Sequence, residues 1–187
     1  MNLIGKKIDE FKVPALVGEE FKQVTEKDLD GVWSVLFFYP GDFTFVCPTE
    51  LEDLQNLYED FRREHTNIYS VSTDSEFVHK AWKDRSDRIK KVEFSMISDR
   101  NFVLSKMLDV LIPEEGQALR ASFIINPNRE VVAYEINAPG VGRNAHELLR
   151  KVRASQFVHK HGDKVCPANW EPGDEVLTPG IDLVGEL

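Results

Sequence analysis

The sequence predicts an α/β fold, and three features carry that reading. An apolar run over residues 32–39, interrupted only by Ser34, has the aromatic and β-branched content of a buried strand. Leu51, Leu54, Leu57, Tyr58 and Phe61 then recur at helical spacing, with acidic residues on the other face. Residues 68–73 alternate as a second strand. A strand, a helix and a strand in that order need a crossover, so the two strands are parallel neighbours in one sheet.

The remaining elements follow from the same signals. Residues 11–15 and 20–24 flank Gly18 and predict a small hairpin, and Thr25 before Glu26 can cap a helical turn that ends at Gly31. The first main helix should run from Cys47 to about His65, with Pro48 in its first turn, where a missing N–H costs nothing. Ser75 opens a second helix, carrying Phe77, Val78, Ala81 and Trp82 on one side. A short strand over 94–97, a short helix over 101–108 and a loop at 113–116 come next. The β-rich runs 120–125 and 131–136, joined by Asn126-Pro127-Asn128-Arg129, predict a hairpin. A long helix spans residue 144 to about 161, with Ala145, Leu148, Leu149, Val152 and Phe157 inward. From residue 162 the chain turns rich in Pro and Gly and loses its periodicity. This predicts a main domain over 1–161 and a docking tail over 162–187.

Composition narrows the function. A net charge of −9 and a pI near 5.1 argue against nucleic acid or anionic lipid as partners. No stretch approaches the ~18–20 apolar residues of a membrane span. The opening residues have no apolar signal region, so the expected location is the cytoplasm. Two cysteines in such a chain read as redox-active, metal-binding or inert thiols, not as a disulfide framework. His159 and His161 before Cys166 lack a fourth ligand at a recognisable spacing, so no metal is expected. A glycine-rich phosphate loop is absent, so no nucleotide or flavin site is expected either.

Cys47 stands where the first core strand ends and a helix begins. Helix N-termini present unpaired N–H groups and partial positive charge, which favour a thiolate. Position alone reads equally well as a small buried hydrophobe. Thr44, three residues upstream, tips the reading toward chemistry because its hydroxyl can lie near the sulfur. His79 or His146 beside Cys47 would suggest a cysteine hydrolase, but no accompanying signature supports one.

Pro40-x-x-x-Thr44-x-x-Cys47, within Phe37-Phe38-Tyr39-Pro40 through Cys47-Pro48-Thr49-Glu50, resembles the active-site motif of peroxiredoxins. Val165-Cys166-Pro167-Ala168-Asn169-Trp170 is similar to the resolving-cysteine segment of their typical two-cysteine class, the bacterial alkyl hydroperoxide reductase type. The likeness spans nearly the whole chain and implies a thioredoxin-like fold with an N-terminal hairpin. Thioredoxins carry Cys-x-x-Cys at this junction; with Thr44-x-x-Cys47, no local disulfide can close here.

The resemblance implies a thiol peroxidase for hydrogen peroxide, organic hydroperoxides and peroxynitrite, working without a bound cofactor. It makes Cys47 the peroxidatic nucleophile and Thr44 a hydrogen-bonding partner of sulfur and peroxide. Pro40 would shield the sulfur, and Arg120 would be the cationic donor for the leaving oxygen. Glu50 and Arg143 would orient Arg120, and Cys166 would be the resolving thiol. In the resembled class that disulfide joins two subunits, whereas spacing alone leaves an intrachain bond open. Implied partners are a flavoprotein disulfide reductase or thioredoxin as electron donor, and further copies of the chain as a homodimer and decamer. Two departures bear on inactivation. A Gly-Gly-Leu-Gly loop and a Tyr-Phe ending mark easily overoxidised members; this chain has Glu115-Gly116-Gln117-Ala118 and ends Leu183-Val184-Gly185-Glu186-Leu187. The resemblance therefore implies fast disulfide formation and resistance to sulfinic inactivation. A holdase chaperone or a peroxide-sensing disulfide relay is the alternative function.

Overall fold

The computed structural model describes residues 2–186. Leu187, the last residue of the ending just quoted, lies outside them, as does Met1. The chain divides into two compact units, one running to Ala145 and the other beginning at His146.

The first unit is built on a seven-stranded mixed sheet. Its strands are β1 (Lys12–Val17), β2 (Glu20–Thr25), β3 (Trp33–Phe38), β4 (Thr66–Ser72), β5 (Ser95–Ser98), β8 (Arg120–Ile125) and β9 (Val131–Asn137), in the order β2-β1-β5-β4-β3-β8-β9. β3 pairs with β4, and β4 with β5, in parallel, as the crossover argument requires. β8 runs antiparallel to β3, placing Ala121 opposite Phe38. Every residue of β3 after Trp33 is buried, which explains why its sequence is a continuous apolar run and not an alternation. Phe38, Val71, Ile97 and Phe123 lie in the main hydrophobic core.

Both hairpins form as expected, β1 with β2 and β8 with β9. Asn126 closes the second, its side-chain oxygen accepting from the N–H groups of Asn128 and Glu130, each at 2.9 Å. Asp28 stabilises the turn after β2 by accepting from both the N–H and the hydroxyl of Thr25.

Two sequence expectations need correction. The helix after β3 is not continuous to His65: α1 (Cys47–Asn56) and α2 (Tyr58–Arg63) are separated at Leu57, whose φ and ψ of −103° and 5° are not helical. The loop expected at 113–116 forms, as the turn between two short strands the sequence did not signal, β6 (Leu111–Ile112) and β7 (Gln117–Ala118), with Gly116 at φ 63°. In α3 (Glu76–Arg85), Phe77 and Ala81 face outward, and the buried residues are His79 and Trp82. A histidine with partners for both ring nitrogens takes an inward place that hydrophobicity alone would give to phenylalanine. The shorter helix α4 covers Val103–Met107.

The second unit contains most of α5 (Ala145–Lys160) and the segment that follows it. Val165 and Leu177 exchange backbone hydrogen bonds at 2.9 and 3.1 Å, closing residues 165–177 into a loop. Trp170 anchors that loop. Its ring lies 4.9 Å from Phe157, its indole N–H donates to the Asp174 carbonyl, and its own carbonyl accepts from Arg150. Phe157 is only half-buried.

Candidate active site

The carboxyl ends of parallel strands are where α/β sheets place their ligands, because each following helix starts there. At the end of β3 the chain turns through residues 40–46 and enters α1 at Cys47, with Val46 as N-cap and Pro48 in the first turn. Burial of Leu51 and Leu54 against the core fixes the helix, and with it the cysteine. The Cys47 thiol is free and fully buried.

The partner that local sequence could not supply comes from β8. Arg120, at the start of that strand and 4% exposed, donates from Nη1 to Cys47 Sγ at 3.3 Å. Two anchors hold the guanidinium: its Nε donates to the Pro139 carbonyl at 2.6 Å, and Nη1 also donates to Glu50 Oε2 at 2.7 Å. Glu50 sits one turn along α1 from Cys47 and is itself 3% exposed.

Arg143 completes the arrangement. Its Nε and backbone N–H each donate to Glu50 Oε1 at 2.9 Å, and Nη2 donates to Oε2 at 3.0 Å. Nη1 reaches the Ala121 carbonyl and the Ser122 hydroxyl on β8, and the guanidinium lies 3.5 Å over the Phe37 ring. Burial pushes the Glu50 carboxyl up, but the hydrogen bonds and charge of Arg143, aided by Arg120, outweigh it and hold the group below its ordinary value of 4.5. A carboxylate between two buried guanidiniums thus leaves one cation facing the sulfur.

A family model described as the AhpC/TSA family matches residues 4–134, which include the whole Cys47, Glu50 and Arg120 cluster. The chain belongs to the AhpC/TSA family. A second model, described as the C-terminal domain of 1-Cys peroxiredoxin, matches residues 154–182 around Cys166. Alkyl hydroperoxide reductase C of Staphylococcus epidermidis is 52% identical over the full length of both chains, and that of Staphylococcus aureus 51% identical. Among solved structures, Enterococcus faecalis AhpC superposes with a TM-score of 0.87 at 50% identity, covering 89% of this chain and all of that one. The reduced 2-Cys peroxiredoxin of Plasmodium vivax superposes with a TM-score of 0.92 at 33% identity, covering 97% and 96%. The fold is the thioredoxin-like fold of the peroxiredoxins.

Within this AhpC/TSA fold the residues singled out in the sequence divide into groups. Cys47, Glu50, Arg120 and Arg143 form one buried, hydrogen-bonded cluster. Pro40 is buried at the end of β3. Thr44 is exposed, and its hydroxyl donates to the Gly41 carbonyl at 2.8 Å, which leaves its oxygen free to accept. Phe43 takes the left-handed conformation at φ 56° to make the turn. Cys166 belongs to the second unit, a free and half-buried thiol with its sulfur 3.9 Å from the Ala154 carbonyl. Burial pushes that thiol up, against the opposing charge of Arg150.

His79 pairs with Asp42 rather than with Cys47, at 2.7 Å, and His146 is exposed. Sequence reasoning passed over the Asp42–His79 pair. Its signal was the spacing of Ser75, Val78, His79 and Trp82 along one helix face. Among the described residues, no group of three or more His, Cys, Asp or Glu side chains is arranged to hold a metal ion.

Proposed function

We propose that Cys47 is the peroxidatic thiol of a two-cysteine peroxidase and Cys166 its resolving thiol. The observation that carries this is a buried sulfur at a helix N-terminus, 3.3 Å from an arginine Nη1 that a second buried arginine and a carboxylate hold in place. Such a pocket sets a fixed cation beside the sulfur and stabilises negative charge as it forms on a departing oxygen.

The Cys47 thiolate attacks the terminal oxygen of a hydroperoxide. An S–O bond forms, the O–O bond breaks, and sulfur loses two electrons to give a sulfenic acid. Arg120 receives the leaving alkoxide or hydroxide, which departs as an alcohol or water after taking a proton. Thr44, whose hydroxyl proton goes to Gly41, accepts from the peroxide with its oxygen and so holds the O–O axis in line with sulfur. Pro40 covers the pocket floor. Hydrogen peroxide and small organic hydroperoxides fit this chemistry, as does peroxynitrite.

The Cys166 thiol of a partner copy then attacks the sulfenic sulfur, forming the disulfide and releasing water before further oxidation. The 162–187 segment serves as the docking tail that delivers it. Two electrons from a flavoprotein disulfide reductase or thioredoxin return both thiols, a cycle suited to the reducing cytoplasm. Phe21 and Phe77 form one exposed aromatic pair and exposed Phe43 lies beside Trp82, surface aromatics that support assembly of dimers into a decamer. The test is Cys166→Ser treated with one equivalent of hydrogen peroxide and a sulfenate-trapping dione. The account expects one adduct, on Cys47. An unmodified Cys47 would reject it.

A further inference from the structure

Cys166 belongs to a loop that one face of α5 holds. Arg150, Arg153, Ala154 and Phe157 stand at the i, i+3, i+4 and i+7 positions that share a side of a helix. The 165–177 loop lies on that side. Phe157 packs against Trp170, Arg150 Nη1 donates to the Trp170 carbonyl at 3.3 Å, and Arg153 Nη1 pairs with Glu171 at 3.8 Å. The Cys166 sulfur stands 3.9 Å from the carbonyl of Ala154, one helical turn beyond Arg150. Within the loop, Asp174 Oδ2 accepts the Glu171 N–H at 2.8 Å, and the Asp174 N–H donates to the Glu171 carbonyl at 3.0 Å. The Val165–Leu177 bonds close its ends. The loop is thus a formed unit, and α5 sets where its sulfur lies.

The charges around this sulfur come from α5 and from the loop itself. Arg150 holds Glu147 at two points, Nε to Oε2 at 2.6 Å and Nη2 to Oε1 at 2.8 Å, and Lys151 shares that carboxylate at 3.6 Å. Arg153 pairs with Glu171, and Lys164 with Asp163. Glu147 is therefore divided between two cations, and Nη1 of Arg150 is turned to the loop. Burial pushes the Cys166 thiol up, and the charge of Arg150 opposes it. The coupling is mutual. Arg150 is held above its ordinary value, first by Glu147 against burial, and then by Glu171 and the Cys166 sulfur.

We propose that Arg150 is a positioning residue for disulfide formation: it holds the 165–177 loop on α5 through the Trp170 carbonyl and sets a fixed cation near Cys166. The inference rests on the two-cysteine peroxidase reading. In this step the Cys166 thiol loses its proton and the thiolate attacks the sulfenic sulfur of Cys47. An S–S bond forms and the S–O bond breaks, and the departing hydroxide takes up a proton as water. The Cys166 sulfur is oxidised as the Cys47 sulfur is reduced, so no further oxidant is needed. The attacking species is the thiolate and not the thiol. A half-buried cysteine with no cation near it stays protonated at neutral pH and reacts slowly, and Arg150 offsets that handicap. Slow disulfide formation leaves the sulfenic acid open to a second peroxide, which takes it to sulfinic acid. Arg150 thus bears on the survival of Cys47 as well as on the rate at which the disulfide closes.

The test mixes reduced protein with one equivalent of hydrogen peroxide, quenches at intervals and follows the disulfide on a non-reducing denaturing gel, from about pH 6 to about pH 9. Native protein is compared with Arg150→Met and Arg150→Lys. Methionine keeps an apolar stem and drops the charge, whereas lysine keeps a cation. At about pH 7, Arg150→Met should form the disulfide about tenfold more slowly, and the gap should narrow toward the alkaline end, where the thiol ionises unaided. Arg150→Lys should recover most of the native rate. A methionine variant as fast as native protein at neutral pH would overturn the proposal. A lysine variant as slow as the methionine one at every pH would also overturn it, because packing and not charge would then set the rate. Alkylation of Cys166 by iodoacetamide in a Cys47→Ser background gives an independent reading: adding Arg150→Met should slow it at neutral pH, and equal rates would count against the proposal. If the native protein forms no disulfide at any pH, the peroxidase reading fails instead, and this alkylation still decides whether Arg150 acts on Cys166.

Discussion

Glu50→Gln tests the active-site electrostatics most sharply. The carboxylate accepts from Arg120 Nη1 at 2.7 Å, from Arg143 Nε and backbone N–H at 2.9 Å and from Arg143 Nη2 at 3.0 Å, while 3% exposed. Glutamine keeps the shape, but its amide N–H must face one of the guanidinium N–H groups, and two buried cations lose their counter-charge. Breaking a buried ion pair from one side costs about 3–5 kcal/mol. A urea titration of the reduced variant, followed by tryptophan fluorescence, should show a loss of that order. Arg120 also loses an anchor, so the rate of peroxide consumption should fall about tenfold or more, equivalent to at least ~1.4 kcal/mol of transition-state stabilisation. The same carboxylate makes a signed pH prediction. Its folded value lies below 4.5, so its stabilisation is present above pH 4.5 and is lost as pH falls through the folded value. Glu50→Gln should flatten that acid limb. A variant within about 1 kcal/mol of native stability, with an unchanged rate, would refute the claim that Glu50 holds Arg120 against Cys47.

Other perturbations separate the remaining roles. Thr44→Val removes an exposed hydroxyl bonded only to the Gly41 carbonyl, so stability should change by about 1 kcal/mol or less. Peroxide turnover should drop about a hundredfold in the same variant, because the acceptor that holds the O–O axis in line is gone, a loss on the scale of one positioned transition-state hydrogen bond. Phe77 is 62% exposed and stacks edge-on with Phe21 at 5.0 Å, so Phe77→Asp should fold normally but sediment as a smaller species. An unchanged sedimentation coefficient would place the assembly surface elsewhere. The Glu115-Gly116 turn predicts slow overoxidation: intact-mass spectra under repeated peroxide turnover should show the disulfide long before sulfinic acid on Cys47.

The sequence made the scaffold of this site legible because burial leaves a simple trace there. β3 is apolar apart from Ser34 since it is covered on both faces, and the period change at Cys47 marks the strand-to-helix junction. Arg120 could be placed only by resemblance, because the pairing of β8 with β3 is a long-range choice that no local signal encodes. The break at Leu57 was hidden because its apolar neighbours continue the helical period on either side. In α3 the apolar spacing groups Phe77 and Ala81 with Trp82, but only Trp82 is buried. His79 is buried because Asp42 and the Ile97 carbonyl satisfy both ring nitrogens, and such partners lie far away in sequence.

The central claim is that Cys47 is oxidised by hydroperoxide and resolved by Cys166. One equivalent of hydrogen peroxide added to reduced protein, followed by thiol counting and a non-reducing denaturing gel, tests it most directly. The account predicts a covalent dimer in which both thiols of every chain are lost. Survival of both thiols would contradict it.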